Sequence, residues 1–229
     1  MVYLTGDTHG DFRRIKQFCQ QMNTTLDDAL IILGDAGFNY YGNYRDRNAK
    51  IFASKLPIML FCIHGNHEMR PTSVPTYKEK LYRGGTVWYE EEYPNILFAK
   101  DGEIYDFDGR KCIVIGGAYS VDKFYRLTMG WHWFLDEQPS PEIKRRVEEQ
   151  LASVRYKVDA VLSHTCPVKY EPVETFMPNI DQSKVDKSTE SWLGEIESNL
   201  TYEKWYCGHY HIAKKIDKLQ FMFEDYDTL

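Results

Sequence analysis

Short apolar runs of strand length alternate along the chain with stretches of helical periodicity, the pattern of βα units built around a sheet. Val2–Thr5, Ala29–Leu33, Ile58–Ile63, Val158–Leu162 and Lys204–Cys207 read as strands. Between them, residues 11–22 form a helix pattern with Ile15, Phe18, Cys19 and Met22 on one face. Residues 44–56 form another, stopped before Pro57 because the residue preceding a proline disfavours the helical region. Residues 86–117 read as a β meander with turns at Lys100-Asp101-Gly102 and Phe107-Asp108-Gly109-Arg110. Ser140-Pro141-Glu142 starts a helix, Ser as cap and Pro at the first position, that should run to about Tyr156. Residues 214–223 close the chain as a hairpin. Two stretches, 117–139 and 165–191, show neither period. The second is long for a loop, and long loops are often lids or binding elements.

Composition narrows this picture. No apolar run approaches the roughly 20 residues of a membrane span, and Met1-Val2-Tyr3-Leu4-Thr5 runs directly into Gly6-Asp7 with no secretory leader pattern. The 5 cysteines are odd in number and never paired as CxxC, which excludes a disulfide framework and a thiolate zinc site. A cytoplasmic protein with a single domain over residues 1–229 is expected, with 118–139 and 165–191 as substrate-side loops or lids. The hydrophobic content of 43 % excludes a disordered chain, and a net charge of −6 argues against non-specific nucleic-acid binding.

Candidate chemistry collects at the strand ends. Val2–Thr5 runs into Gly6-Asp7-Thr8-His9-Gly10, and Leu30–Leu33 into Gly34-Asp35. The third strand leads to His64-Gly65-Asn66-His67-Glu68, the fourth to Ser163-His164, the fifth to Gly208-His209-Tyr210-His211. Ligands bind at the carboxyl ends of strands in open α/β sheets, so adjacent strands would unite these side chains. Asp7, His9, Asp35, Asn66, His164, His209 and His211 offer nitrogen and oxygen donors without a thiolate, a set suited to Mn, Fe, Zn or Co rather than Ca. Seven donors suit two ions sharing a carboxylate. Such a pair polarises a phosphoryl group and generates hydroxide from water near neutral pH.

With the motifs GDxH, GD, GNH, a strand-end His and GHxH in that order over residues 6–211, the chain resembles the calcineurin-like metallophosphoesterases. The resemblance implies a central β-sandwich flanked by helices, an α/β fold with a dinuclear metal site at the carboxyl ends of the strands. It implies that Asp7, His9 and His211 hold one ion, that Asn66, His164 and His209 hold the other, and that Asp35 bridges them; Mn is the favoured metal. His67 matches the general acid toward the leaving oxygen, a role for which histidine titrates in the right range.

The GNHE form, with Glu68, looks like the branch of serine/threonine protein phosphatases and dinucleoside tetraphosphatases. That branch continues its second motif as GDxVDRG, where this chain has Gly34-Asp35-Ala36-Gly37-Phe38-Asn39-Tyr40. Phe38 replaces the acid that would orient the histidine, Asn39 replaces a phosphate-binding Arg, and His64 replaces the Arg before GNHE. His64, Asn39 and Arg126 are the candidate substrate contacts. Arg13, Arg14, Arg45, Arg47 and Arg70 read as ordinary surface charge. The aromatic run Gly130-Trp131-His132-Trp133-Phe134 reads as loop anchoring rather than a stacking platform.

The expected function is hydrolysis of a phosphate ester by a metal-bridging hydroxide, with a phosphomonoesterase, phosphoprotein phosphatase-like activity favoured by Glu68. A phosphodiesterase or nucleotide hydrolase is the alternative, because the monoester-binding arginines are missing. A non-catalytic module docking through the metal-site face is a third, although such a module has no need of all seven donors plus His67. The expected partner is a phosphorylated substrate, with no membrane; the oligomeric state is open.

Overall fold

The computed structural model describes residues 1–229. Its chain order is β1 (Val2–Thr5), α1 (Phe12–Met22), β2 (Ala29–Ile32), α2 (Tyr44–Ala53), β3 (Met59–Cys62), β4 (Lys78–Tyr82), β5 (Gly85–Tyr89), β6 (Ile96–Ala99), β7 (Ile104–Phe107) and β8 (Arg110–Ile115). There follow α3 (Lys123–Thr128), α4 (Pro141–Ser153), β9 (Ala160–Ser163), α5 (Ser188–Asn199), β10 (Lys204–Cys207), β11 (Lys214–Ile216), β12 (Leu219–Phe221) and β13 (Asp227–Thr228). One sheet has the order β13-β1-β2-β3-β6-β5-β4 and the other β11-β12-β10-β9-β8-β7.

The two sheets stack face to face with helices on both outer sides, and strict alternation along the strands creates the layers. In β1 and β2, Tyr3, Leu30 and Ile32 pack outward under Phe12, Ile15 and Phe18 of α1. Their neighbours Leu4, Ile31 and Leu33 point inward, to the layer that also holds Val114, Leu162 and Tyr206 of the second sheet. On the far side, Ile113, Val161 and Trp205 meet Val147 and Leu151 of α4 and Trp192, Leu193 and Ile196 of α5. Strands covered on both faces explain the near-continuous apolar runs. The α/β sandwich expected from the sequence is present.

Several elements differ from expectation. The meander over 86–117 is divided between sheets: β5 and β6 join the first, where β6 pairs in parallel with β3, and β7 and β8 join the second. The turn at Lys100-Asp101-Gly102 is therefore the crossing between layers. Before it lies an unanticipated edge strand, β4, whose Lys-Glu-Lys-Leu-Tyr sequence leaves Leu81 82 % exposed; charge on such an edge discourages pairing with other chains. Helix α2 ends at Ala53 rather than Leu56, and Met22 is 49 % exposed although its period places it with the α1 core face.

Helix α5 starts inside the stretch expected to be loop. Its cap residue Lys187 makes no side-chain capping bond and Gly194 interrupts its interior, so both usual helix signals are missing. The short α3 lies in the other unassigned stretch. The expected closing hairpin is formed by β11 and β12, and β12 additionally pairs in parallel with β10. The terminal β13 pairs antiparallel with β1.

Candidate metal centre

Parallel pairing of β1, β2 and β3 in one sheet, and of β9 and β10 in the other, brings five carboxyl ends to one edge of the sandwich. The loops leaving them carry Asp7 and His9, Asp35, Asn66 and His67, His164, and His209 and His211. Four of these residues adopt left-handed backbone: His9 (φ 46°), Asp35 (φ 48°), His209 (φ 68°) and His211 (φ 51°). Residues other than glycine rarely do so, and such strain concentrates where a side chain must be aimed at a fixed point. The motif glycines have a separate reason. A Cβ on Gly65 would lie 2.0 Å from Asp35 Oδ1, and one on Gly208 would lie 2.2 Å from Asp7 Oδ1.

Each buried carboxylate divides its work. Asp7 Oδ1 accepts the His209 backbone N–H at 2.9 Å, and Asp35 Oδ1 accepts that of His67 at 2.8 Å. The second oxygens turn inward. Asp7 Oδ2 is buried with no hydrogen-bond donor satisfying it, 3.2 Å from His211 Nε2 and 3.8 Å from His9 Nε2. Asp35 Oδ2 faces His164 Nε2 at 3.7 Å. His164 donates from Nδ1 to the Leu33 carbonyl at 2.8 Å, which leaves the Nε2 lone pair directed at Asn66 Oδ1, 2.8 Å away. His209 Nδ1 lies 3.1 Å from the same oxygen, and His9 and His211 bring their Nε2 atoms within 2.9 Å of each other.

These are lone pairs converging on common points with too few protons among them, and the donors are nitrogen and oxygen only. The residues fit divalent cations of the borderline class. The groups Asp7, His9, His211 and Asp7, Asp35, His164 each hold their donor atoms within 4.8 Å of one another. Electrostatics agree. Burial acts to raise the Asp7 carboxyl, but the adjacent His211 and the charges of His164 and His9 hold it below the usual carboxylate range. Burial, reinforced by His164, pushes His209 down to about 3, leaving it neutral as a ligand must be.

His67 forms a third convergent group with His9 and Asp35, yet a cation covers it already. Arg126 Nη2 lies 2.6 Å from His67 Nδ1 and 3.2 Å from Nε2. A guanidinium only donates, so Nδ1 accepts and the ring proton sits on Nε2. Burial, and the charge of Arg126 against that of Asp35, lower the His67 pKa. The general acid expected from the sequence thus presents, in its neutral form, an Nε2–H donor in this arrangement. Arg126 is buried to 7 % exposure and also bonds Asp122 Oδ2 at 2.8 Å, the Tyr40 hydroxyl at 3.1 Å and the His132 carbonyl at 3.2 Å.

The other two candidate substrate contacts are not on the walls of the two clefts beside His67. Asn39 is 1 % exposed and its amide bonds the Tyr77 hydroxyl at 3.1 Å, behind the site. His64 is 2 % exposed beside Arg70 and lines neither of the clefts beside His67. Both follow strand-end turns into the core, where the backbone rather than the site dictates their direction. Glu68 is fully buried and accepts backbone N–H groups of Gly65 at 3.1 Å and Gly37 at 3.3 Å. It ties two loops together, and burial with the Asp35 charge raises its carboxyl to about 8.

Sequence reasoning missed two residues in a chain behind Asn66. Asn66 Nδ2 donates to Ser120 Oγ at 2.9 Å, and Ser120 donates from Oγ to Glu137 Oε2 at 2.6 Å and from its backbone to Oε1 at 3.2 Å. This fixes the amide with Oδ1 toward His164 and His209. Arg14 and Arg70 are likewise not free surface charges: Arg14 Nη2 donates to the Asp7 carbonyl at 2.9 Å, and Arg70 Nη1 to Asp101 at 2.6 Å. No local sequence pattern marks these contacts, since each joins segments distant in the chain or side chain to main chain.

Two clefts meet at His67. One, of about 390 Å³, is walled by residues 171–190 with Tyr119, Val121 and Tyr210 and floored by Asp35, Asn66, His209 and His211. The other, of about 630 Å³, holds Tyr40, Tyr41, Arg45, Arg126, Trp131 and His132. Trp131 is half exposed in that cleft, whereas Trp133 is covered by Lys123, 3.9 Å above its ring. The five cysteines are all unpaired and buried, and none is a donor here.

A profile of the calcineurin-like phosphoesterases matches residues 1–213. The chain belongs to that family. As a calcineurin-like phosphoesterase it is a metal-dependent hydrolase of phosphate esters. No curated protein sequence matches it. Among solved structures it is similar to TT1561 of Thermus thermophilus, with a TM-score of 0.51 at 12 % identity over 97 % of this chain and 87 % of that one. It also matches the phosphopantetheinyl hydrolase PptH of Mycobacterium tuberculosis at 14 % identity and a TM-score of 0.48, over 97 % and 87 % of the two chains. At such identity the TT1561 likeness establishes the shared fold of this calcineurin-like phosphoesterase. No helix is long and apolar enough to cross a membrane.

Proposed function

We propose that this chain is a dinuclear phosphomonoesterase in which Asp7, His9 and His211 hold one Mn²⁺, Asn66, His164 and His209 hold the second, and Asp35 serves both. The observation that carries the reading is the buried, donorless Asp7 Oδ2 facing two imidazole nitrogens at one edge where all seven donors meet. When bound, a pair of such ions polarises a phosphoryl group and lowers the pKa of water. The protein's own groups do the rest. His67 presents Nε2–H toward the leaving oxygen, and its orientation is set by Arg126 at Nδ1. Arg126, itself held by Asp122, supplies the positive charge a phosphate dianion requires beside that donor. This replaces the arginines missing at positions 39 and 64, and it is why the monoester reading stands without Glu68.

The test is turnover of an aryl monoester and an aryl diester by the full chain with added Mn²⁺. Faster monoester hydrolysis, lost in Asp35→Ala, is expected. Faster diester hydrolysis would transfer the assignment to phosphodiesterase, and no turnover of either would refute the enzyme reading.

A further inference from the structure

The cleft on the α5 side of His67 has a composition that constrains the group leaving with the phosphate's ester oxygen. Its apolar surface comes from Val121, Phe176, Met177, Ile180 and Val185, with the uncharged Thr175 and Gln182 among them. No lysine or arginine lines it. The carboxylates that line it away from the donor floor are already engaged by neighbours. Glu171 pairs with Lys187 at 2.6 Å and Asp122 with Arg126 at 2.8 Å. Asp186 accepts from Gln138 at 3.0 Å and from the Ser188 backbone at 2.9 Å. Glu190 accepts the Thr165 hydroxyl at 2.8 Å and is 4 % exposed.

A second phosphate entering here would meet carboxylates and no counter-charge, and burying an unpaired anion is costly. A free cation would find the acids engaged. An uncharged chain would remove apolar surface from water on both sides. Across His67 the cations lie in the other cleft: Arg45, over the Tyr41 ring, and Arg126, which is held by Asp122 beside His67. The site thus separates an anion-binding side from an apolar side, with His67 between them.

We infer that the substrate's alcohol is an uncharged, predominantly apolar chain seated between Val121 and the 176–185 wall, and that nucleoside polyphosphates are not substrates. This rests on the phosphomonoesterase reading and adds the class of leaving group to it. A cleft of about 390 Å³ takes a chain of several carbons.

The experiment compares ethyl, butyl and octyl phosphate with ADP on the Mn²⁺-loaded full chain by phosphate release. It also measures binding of octylphosphonate, which cannot be hydrolysed, by calorimetry. kcat/KM is expected to rise at least tenfold from ethyl to octyl phosphate, with ADP at least tenfold below octyl. Ile180→Lys, which sets an ammonium in the wall, should bring the octyl-to-ethyl ratio close to one and weaken octylphosphonate binding at least tenfold. Equal rates along the alkyl series, or preference for ADP, would overturn the inference while leaving the hydrolase assignment intact. Octylphosphonate binding that Ile180→Lys abolishes, without turnover of any ester, would keep the apolar site and remove the proposed activity. Absence of both binding and turnover would overturn both.

Discussion

Ser120→Ala tests whether the Asn66 ligand is held from behind. Asn66, Ser120 and Glu137 are each 2 % exposed, so groups that lose a partner there find no bulk water. Removing Oγ strips Asn66 Nδ2 of its acceptor at 2.9 Å and Glu137 Oε2 of its donor at 2.6 Å, while Glu137 Oε1 keeps the Ser120 backbone N–H. Each buried group left unpaired costs about 1–3 kcal/mol. Two such groups imply about 3 kcal/mol of lost stability, which in a chain of this length lowers Tm by about 6–12 °C. The second effect falls on the metal. Without the Ser120 acceptor, the Asn66 amide is free to turn its nitrogen toward His164 and His209, and an amide nitrogen is no donor to a cation. Partners behind a ligand are typically worth 10–100-fold in affinity.

The assay is Mn²⁺ titration of metal-free protein by calorimetry, alongside thermal melts of the same samples. A purely structural Ser120 would move Tm alone; the positioning role moves Mn²⁺ affinity by at least tenfold as well. Glu137→Gln retains an oxygen that accepts the Ser120 hydroxyl and should keep Mn²⁺ affinity within about threefold of the parent. Wild-type Mn²⁺ affinity in folded Ser120→Ala would refute the reasoning.

Three further outcomes follow from the geometry. Gly208→Ala, whose Cβ would lie 2.2 Å from Asp7 Oδ1, should displace that carboxylate and cut Mn²⁺ affinity at least tenfold with an unchanged circular dichroism spectrum; undiminished affinity would contradict the assigned role of Asp7. Burial pushes the Glu190 carboxyl up to about 7 from its ordinary 4.5, so the folded state binds this proton more tightly. Its neutral form is fully accommodated below about pH 4.5, and stability then falls as pH rises to about 7, by roughly 3 kcal/mol. Glu190→Gln keeps an acceptor for Thr165, so urea denaturation should show it gaining on the parent between pH 5 and 8; a pH-independent difference would contradict the argument. Finally, Mn²⁺ added at 100 times its Kd to chelator-treated protein should raise stability by about 2.7 kcal/mol, and an unchanged melting curve would count against ligand binding at this edge.

Much of the scaffold was legible because its strands are buried on both faces. Continuous apolar runs ending in Asp, His or Asn can be read without knowing the register, and β1, β2, β3, β9 and β10 were placed within a residue or two. What the pattern could not show is which sheet a strand joins. β6 and β7 are separated by one turn and carry the same apolar character, but one pairs with β3 and the other with β8. That choice depends on partners far along the chain. Helix α5 was hidden for a local reason, its missing cap and interior Gly194, although Trp192, Leu193 and Ile196 lie together on its buried face.

The candidate site was legible in its donors and illegible in what surrounds them. The motif positions that depart from the resembling branch, Phe38, Asn39 and His64, all prove to be interior. Phe38 stacks on Phe12 with ring centres 4.5 Å apart, so restoring an acid there would bury a charge in the core. The positive and negative groups that accompany His67 come instead from Arg126 and Asp122, 59 and 55 residues further along the chain. A turn that follows a strand has few directions available and cannot move its residues without moving the donors beside them. A loop joined to the scaffold only at its ends can bring a guanidinium to the same point from elsewhere. The donors must therefore be read from fixed spacing, whereas on the proposed reading the charge beside His67 is sought in the stretches without period, 118–139 and 165–191. Those two stretches supply Arg126 to one cleft and the apolar wall to the other. The parts of this chain with no secondary-structure signal are thus the parts that line the space around the seven donors.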